Sequence, residues 1–279
     1  MGRGEIIGGW EAGCHSRPYV AFLNIETGGD GKGCCGGLLI WEDVLVTAAY
    51  CNCNPGNIFV YLRVQDFMKP GQNWQQIQAH HWVQHPGFND EDFHNDIMLL
   101  SLSRPWQLSH SAELTEWVVP IPLPETNHHV SPGPECSMAR WGQTEVNTTT
   151  DRLQEPEQEV VLRGLCKEQY RHYDPTTMLC AGSPDVKKSP FQDDYGGPLV
   201  CDGVAQGISS WNFHAMSPPE VYTSVSHFVP WIEKVMKKLS HSRRASQLLY
   251  NFCYFSGTLG SIPHWPAPHA VVGSRIKMI

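Results

Sequence analysis

Short apolar or alternating runs recur along the chain, at residues 19–25, 38–49, 58–64, 96–102, 198–200 and 204–211, with Gly, Pro, Asn or Asp between them. Runs of this length between turn formers read as strands. Their number and spacing predict an all-β barrel or sandwich. One segment has a different period. Phe228, Trp231, Ile232, Val235, Met236 and Leu239 recur at helical spacing and share one face. Ser226 stands where a cap would, with Pro230 in the first turn. Lys234, Lys237 and Lys238 fall toward the C-terminal half, where the helix dipole favours cations. A Pro-rich stretch near 105–125 divides the strands into two groups.

Composition narrows the class. Of 279 residues, 41% are apolar and 17% charged, which excludes wholesale disorder. Ten Cys point to an oxidising compartment or a metal site. The net charge of −8 argues against a nucleic-acid or anionic-membrane partner. No apolar run is long enough for a transmembrane helix. The charge is uneven. Residues 240–279 hold Arg243, Arg244, Arg275 and Lys277 and no acid, so 16 of the 20 basic residues face all 28 acidic ones over 1–239, a balance of −12. The tail has no clear period and reads as a poorly ordered extension. The first residues lack the apolar stretch of a secretory signal, so no signal peptide is expected in this chain.

Four stretches, in order, carry a family resemblance. They are Ile6-Ile7-Gly8-Gly9, Thr47-Ala48-Ala49-Tyr50-Cys51, Asn95-Asp96-Ile97-Met98-Leu99-Leu100 and Asp193-Asp194-Tyr195-Gly196-Gly197-Pro198. Together they resemble the activated amino terminus and the His, Asp and Ser motifs of chymotrypsin-like serine proteases. His15-Ser16-Arg17-Pro18-Tyr19 and Pro218-Pro219-Glu220-Val221 resemble granzymes, mast-cell chymases and cathepsin G, as does Gly4-Glu5 before Ile6. The resemblance implies two six-stranded antiparallel β-barrels with a C-terminal α-helix. It divides the chain into a residual propeptide (1–5), a protease domain (6–239) and a tail outside the family (240–279). It also implies three disulfides, Cys35–Cys51, Cys136–Cys201 and Cys166–Cys180. Cys14, Cys34, Cys53 and Cys253 have no family role.

The chemistry departs from the family at the points that matter most. A serine protease needs a nucleophile, a base that titrates near neutrality and a carboxylate to orient the base. The motifs put Tyr50 at the base, Asp96 at the carboxylate and Tyr195 at the nucleophile. A phenol ionises near about pH 10, so it is a poor base at neutral pH. A tyrosine ring at 195 is expected to fill the space of a scissile carbonyl. Asp193 stands where the family's oxyanion site has glycine, and a carboxylate there opposes a developing oxyanion. Loss of the base or the nucleophile alone costs about a millionfold in turnover in a comparable protease.

Of the other family features, Asp194 is retained and the specificity pocket is partly legible, with Asn212 in place of a usual glycine. Asp194 is the expected partner of the Ile6 amino group after cleavage, an activation switch built on a buried ion pair. Ser189, Ser210, Trp211, Asn212 and Glu220 are the expected specificity pocket, acidic and suited to Lys or Arg, with aromatic side chains also accommodated. Asn147-Thr148-Thr149 is an N-glycosylation sequon. No metal or cofactor is expected. Cys51-x-Cys53 and Cys34-Cys35 lack zinc-site spacing. His80-His81 and His128-His129 read as surface pairs, and Asp90-Glu91-Asp92 as a solvated loop.

The sequence thus predicts a serine protease homologue of the granule type, with enzyme status uncertain and hydrolysis lost. It would be secreted or held in a secretory granule, monomeric, and act through a protein or peptide ligand at the former active-site cleft. The alternatives are an active endopeptidase with Lys, Arg or Phe preference, and the product of a decayed gene.

Overall fold

The computed structural model describes residues 10–13, 16–27, 32–52, 55–67, 74–103, 111–133, 135–145, 148–182, 195–211 and 219–256. The first half contains β1 (Trp10–Glu11), β2 (Val20–Thr27), β3 (Lys32–Trp41), β4 (Val44–Thr47), a 3-10 turn (Ala49–Cys51), β5 (Pro55–Leu62), β6 (Gln75–Ala79), β7 (His81–Gln84) and β8 (Met98–Ser101). The second contains β9 (Glu135–Met138), β10 (Arg140–Glu145), β11 (Thr148–Glu155), β12 (Glu157–Val160), helix α1 (Arg163–Gln169), β13 (Met178–Gly182), β14 (Pro198–Cys201), β15 (Val204–Trp211) and β16 (Glu220–Ser224). Helix α2 (Val225–Ser256) follows.

The all-β architecture with a C-terminal helix is as the sequence predicts. Its second half is a closed six-stranded barrel in the order β12-β13-β16-β15-β14-β9. Its first half is a seven-stranded sheet in the order β6-β5-β2-β3-β4-β8-β7. β10 and β11 pair with β1 in a separate three-stranded sheet. Register shifts at Arg140/Gly142 and Gln143/Glu145 bend this hairpin, as bulges do.

The continuous apolar runs become strands covered on both faces. β4 lies between β3 and β8, and every residue of β4 and β8 is buried. One core cluster joins these strands to Val200, Ala205 and Ile208 of the barrel and to Phe228, Ile232 and Val235 of α2. The helical face read from the sequence is therefore the buried face, with Trp231, Met236 and Leu239 at its margin. Burying a side chain such as Phe228 or Ile232 contributes about 1.5–3 kcal/mol.

The start of α2 differs from expectation. Ser226 lies within the first turn, because the helix begins at Val225, and Ser224 precedes it. Pro230 has no N–H to give the Ser226 carbonyl four residues earlier. That carbonyl instead accepts the Asn127 N–H at 3.0 Å, so a loop residue makes up the lost helical bond. The helix also continues past Leu239 to Ser256, through residues read from the sequence as irregular. Residues 257–279 lie outside the described residues.

All three expected disulfides are present. Cys35–Cys51 ties the 3-10 turn to β3. Cys136 and Cys201 are register partners on β9 and β14, with Cα atoms 4.3 Å apart. Cys166–Cys180 joins α1 to β13. Cys34 is exposed on β3, while Cys14 and Cys53 lie outside the described residues.

Candidate active site

Two turns meet where the first sheet faces the barrel. The first is Ala49–Cys51, which leaves β4 and is fastened by the Cys51 disulfide. The second is the turn at Tyr195 and Gly196 that leads into β14. Its seat explains its glycines. The Tyr195 carbonyl accepts the Gly36 N–H at 2.8 Å. The Gly196 N–H donates to the Ser209 carbonyl at 2.7 Å, and the Ser209 N–H donates to the Gly197 carbonyl at 2.8 Å. Gly196 has φ +82°, and a Cβ there would lie 2.3 Å from Thr47 Oγ1 and 2.4 Å from the Gly36 oxygen. A Cβ on Gly36 would in turn lie 2.8 Å from Gly197 Cα. Only backbone without side chains fits this approach.

These turns bring Tyr50 and Tyr195 into ring contact. Their centroids are 4.7 Å apart with the planes tilted by 42°. The Phe93 ring also contacts Tyr50, with centroids 5.2 Å apart. Tyr50 is 41% exposed, while Tyr195 is half-buried against the core. Phe93 reaches this place through a left-handed backbone, φ 57°, as does Asn95 at φ 57°. Such a conformation is rare for a bulky residue, and no pattern in the sequence signals it. Phe93 is accordingly the site residue that sequence reasoning missed.

Asp96 lies beneath this aromatic group and is completely buried. Its Oδ1 accepts the backbone N–H of Tyr50 at 2.8 Å, and its Oδ2 accepts the Ser210 hydroxyl at 2.6 Å. Thr223 donates its hydroxyl to the Asp96 carbonyl at 2.8 Å. Burial raises the carboxyl pKa to about 6, against the opposing pull of Ser210 and the backbone N–H groups of Tyr50 and Ala49. Asp96 therefore fastens the Tyr50 turn to β15 and β16 of the barrel. Ser210, expected on the pocket wall, has its hydroxyl on this carboxylate.

Glu220 opens β16 and is 4% exposed. Tyr222 donates its hydroxyl to Glu220 Oε2 at 2.8 Å. Tyr170 donates its hydroxyl to the Pro219 carbonyl. Its pKa is pushed up to about 12, first by burial and then by the nearby Glu220 carboxylate. The predicted acidic pocket residue thus sits in a tyrosine-lined, buried setting. Trp211 ends β15. Ile6, Asn147, Ser189, Asp193, Asp194 and Asn212 lie outside the described residues.

The order of these turns along the chain, the glycine-seated second turn and the buried aspartate between them are the frame of a protease triad. Residues 6–232 match the family model described as Trypsin. The chain belongs to the trypsin-like serine proteases of the chymotrypsin family. Among similar family members, duodenase-1 of Bos taurus is 44% identical over 84% of this chain and 90% of its own length. Mast cell protease 3 of Ovis aries is 43% identical over 87% and 93%. Granzyme B of Homo sapiens is 43% identical over 84% and 92%. The solved structure described as "Structure of GrC" superposes with a TM-score of 0.76 at 36% identity, covering 83% of this chain and all of that one. The chain is therefore of the granzyme and chymase type within the trypsin-like family.

Within that frame the chemistry is unusual. The phenol at 50 lacks the imidazole that passes a proton between two ring nitrogens. The phenol at 195 carries its oxygen farther from the backbone than a serine does. Among the described residues, no three His, Cys, Asp or Glu side chains gather as a metal ion would need. No described helix is long and apolar enough to cross a membrane. His81 and the pair His128-His129 are exposed, and His80 is half-buried.

Proposed function

We propose that this trypsin-like protein is catalytically silent and acts by holding a protein or peptide ligand in the cleft between its two halves. The observation that carries this reading is the Tyr50–Tyr195 ring contact, 4.7 Å between centroids, at the positions of the base and the nucleophile. Acyl transfer needs a hydroxyl poised beside a base near neutrality. Two packed phenol rings are a surface for side chains and supply no base that titrates near neutrality. The ligand is a segment bearing Lys or Arg, or an aromatic side chain, directed toward Glu220. The hydrogen bond from Tyr222 to that carboxylate supports an acidic pocket.

The same reading sets the protease domain at 6–239, with α2 running beyond it to Ser256, and makes the protein monomeric, with cleavage after Glu5 freeing Ile6 to pair with Asp194. Asn147 is its glycosylation site. The compartment is a secretory granule or the extracellular space, which the three disulfides support.

The test is active-site labelling. The chain, cleaved to begin at Ile6, is treated with a fluorophosphonate and offered peptides with Lys, Arg or Phe before the cleavable bond. Neither labelling nor cleavage is expected. Stoichiometric labelling, or cleavage blocked by the reagent, would overturn the proposal. In the triple variant Tyr50→His, Asp193→Gly, Tyr195→Ser, recovered cleavage is expected and would identify these three positions as the lesion.

A further inference from the structure

We propose that Tyr50 and Tyr195 are a site of oxidative coupling, at which a one-electron oxidant joins the two phenol rings in contact across the cleft into an intramolecular dityrosine. This goes beyond the binding role above and does not depend on it.

Three observations carry the inference. The rings are already neighbours, with centroids 4.7 Å apart. Their backbones are also pinned, since the Tyr50 N–H is held by Asp96 at 2.8 Å and the Tyr195 carbonyl by the Gly36 N–H at 2.8 Å. Two reactants held in place react as if at very high concentration. Access is selective as well. Among the tyrosines whose exposure is described, Tyr50 is 41% exposed, Tyr61 and Tyr195 are half-buried, and Tyr19, Tyr170, Tyr173 and Tyr222 are buried. Among the described residues, the other ring in contact with Tyr50 is Phe93, which has no phenolic hydrogen to lose. Among the described residues, a radical formed on Tyr50 therefore has Tyr195 as its phenolic neighbour.

The step balances as follows. Each phenol gives one electron and one proton to the oxidant and becomes a phenoxyl radical. The two radicals couple through the ring carbons next to the oxygens, forming one carbon–carbon bond. The hydrogens on those carbons leave as protons, and the phenolic oxygens are reprotonated. In net terms two aromatic carbon–hydrogen bonds are broken and two electrons and two protons are released. A haem peroxidase accepts them as it reduces one hydrogen peroxide to two waters.

The product would differ in kind from the disulfides. Cys35–Cys51 lies within the first half, and Cys136–Cys201 and Cys166–Cys180 lie within the second. Among the described residues, the new bond would be a covalent tie from one half to the other. It would hold the cleft closed around whatever geometry it had when oxidised.

The experiment treats the full chain with a haem peroxidase and limiting hydrogen peroxide. The expected product is a monomer lighter by two hydrogen atoms, with dityrosine fluorescence and one linked peptide pair containing residues 50 and 195. Tyr50→Phe and Tyr195→Phe, each checked for an unchanged circular dichroism spectrum, are expected to lose this product. Tyr61→Phe, on β5, is expected to keep it. Unfolding the wild type in urea before oxidation is expected to abolish the link. An uncoupled monomer, coupling only between molecules, or the same monomer product in folded Tyr50→Phe would overturn the proposal.

Discussion

A carboxylate buried as completely as Asp96 opposes folding whenever it is ionised. Its unfolded-state pKa is 3.8 and its folded one about 6. Below both values the proton is bound in either state and Asp96 is neutral to stability. As pH rises from about 4 to about 6 the unfolded chain releases the proton first, and stability falls. Above that window the loss is complete, on the order of 3 kcal/mol for a shift of this size. Asn fits the same partners, accepting the Tyr50 N–H and donating to the Ser210 oxygen. Asp96→Asn is therefore expected to raise the melting temperature at pH 7 and to flatten its decline between pH 4 and 6, which thermal melts across that range will show. The place of Asp96 was legible in its motif. Its grip on Ser210 was not, because that bond joins residues far apart in sequence and depends on how β15 meets β8. The Phe93 contact was equally hidden, since it rests on a positive φ that no neighbouring residue announces.

At the scale of elements, the turn at Tyr195 is held by backbone contact, whereas the turn at Tyr50 is held by the Cys35–Cys51 disulfide and the Asp96 carboxylate. Gly196→Ala combines a left-handed φ with a Cβ 2.3 Å from Thr47 Oγ1. The conformational strain alone is about 1–3 kcal/mol, and the overlap adds to it. The expected result is a clear loss of stability by denaturant titration, with Tyr50→Ala far milder because that side chain is exposed. Helix α2 offers a contrast. Phe228→Ala, at 2% exposure, is expected to cost about 3–5 kcal/mol, measured in the same titration. The helix face was legible because six apolar residues keep its period. Its first residue was not, since the compensation for Pro230 comes from Asn127 in a distant loop. The β10–β11 hairpin was hidden for a related reason. Its bulges divert it to β1, and bulges have no apolar period of their own.

For the whole molecule, charge and connectivity set what it meets. The balance of −12 over residues 1–239 repels polyanions despite the lysines on α2. The protein is expected to pass unretained through a heparin column at physiological salt, and retention there would show that the helix outweighs the body. The fold was legible because its motifs keep their order over most of the chain, and the family model spans residues 6–232. The arrangement of its sheets was less so, because closure of a barrel is a matter of register and not of composition. The glycine seat under Tyr195 has one more consequence. Gly36, Gly196 and Ser209 hold the turn through main-chain groups, and the holding contacts of positions 50 and 195 are likewise main-chain ones, the Tyr50 N–H on Asp96 and the Tyr195 carbonyl on Gly36, so that their side chains are left to face each other. Support and reactivity are thus carried by different atoms. Exchanging the pair leaves these main-chain bonds in place, which makes this cleft a host into which a new two-residue chemistry could be written.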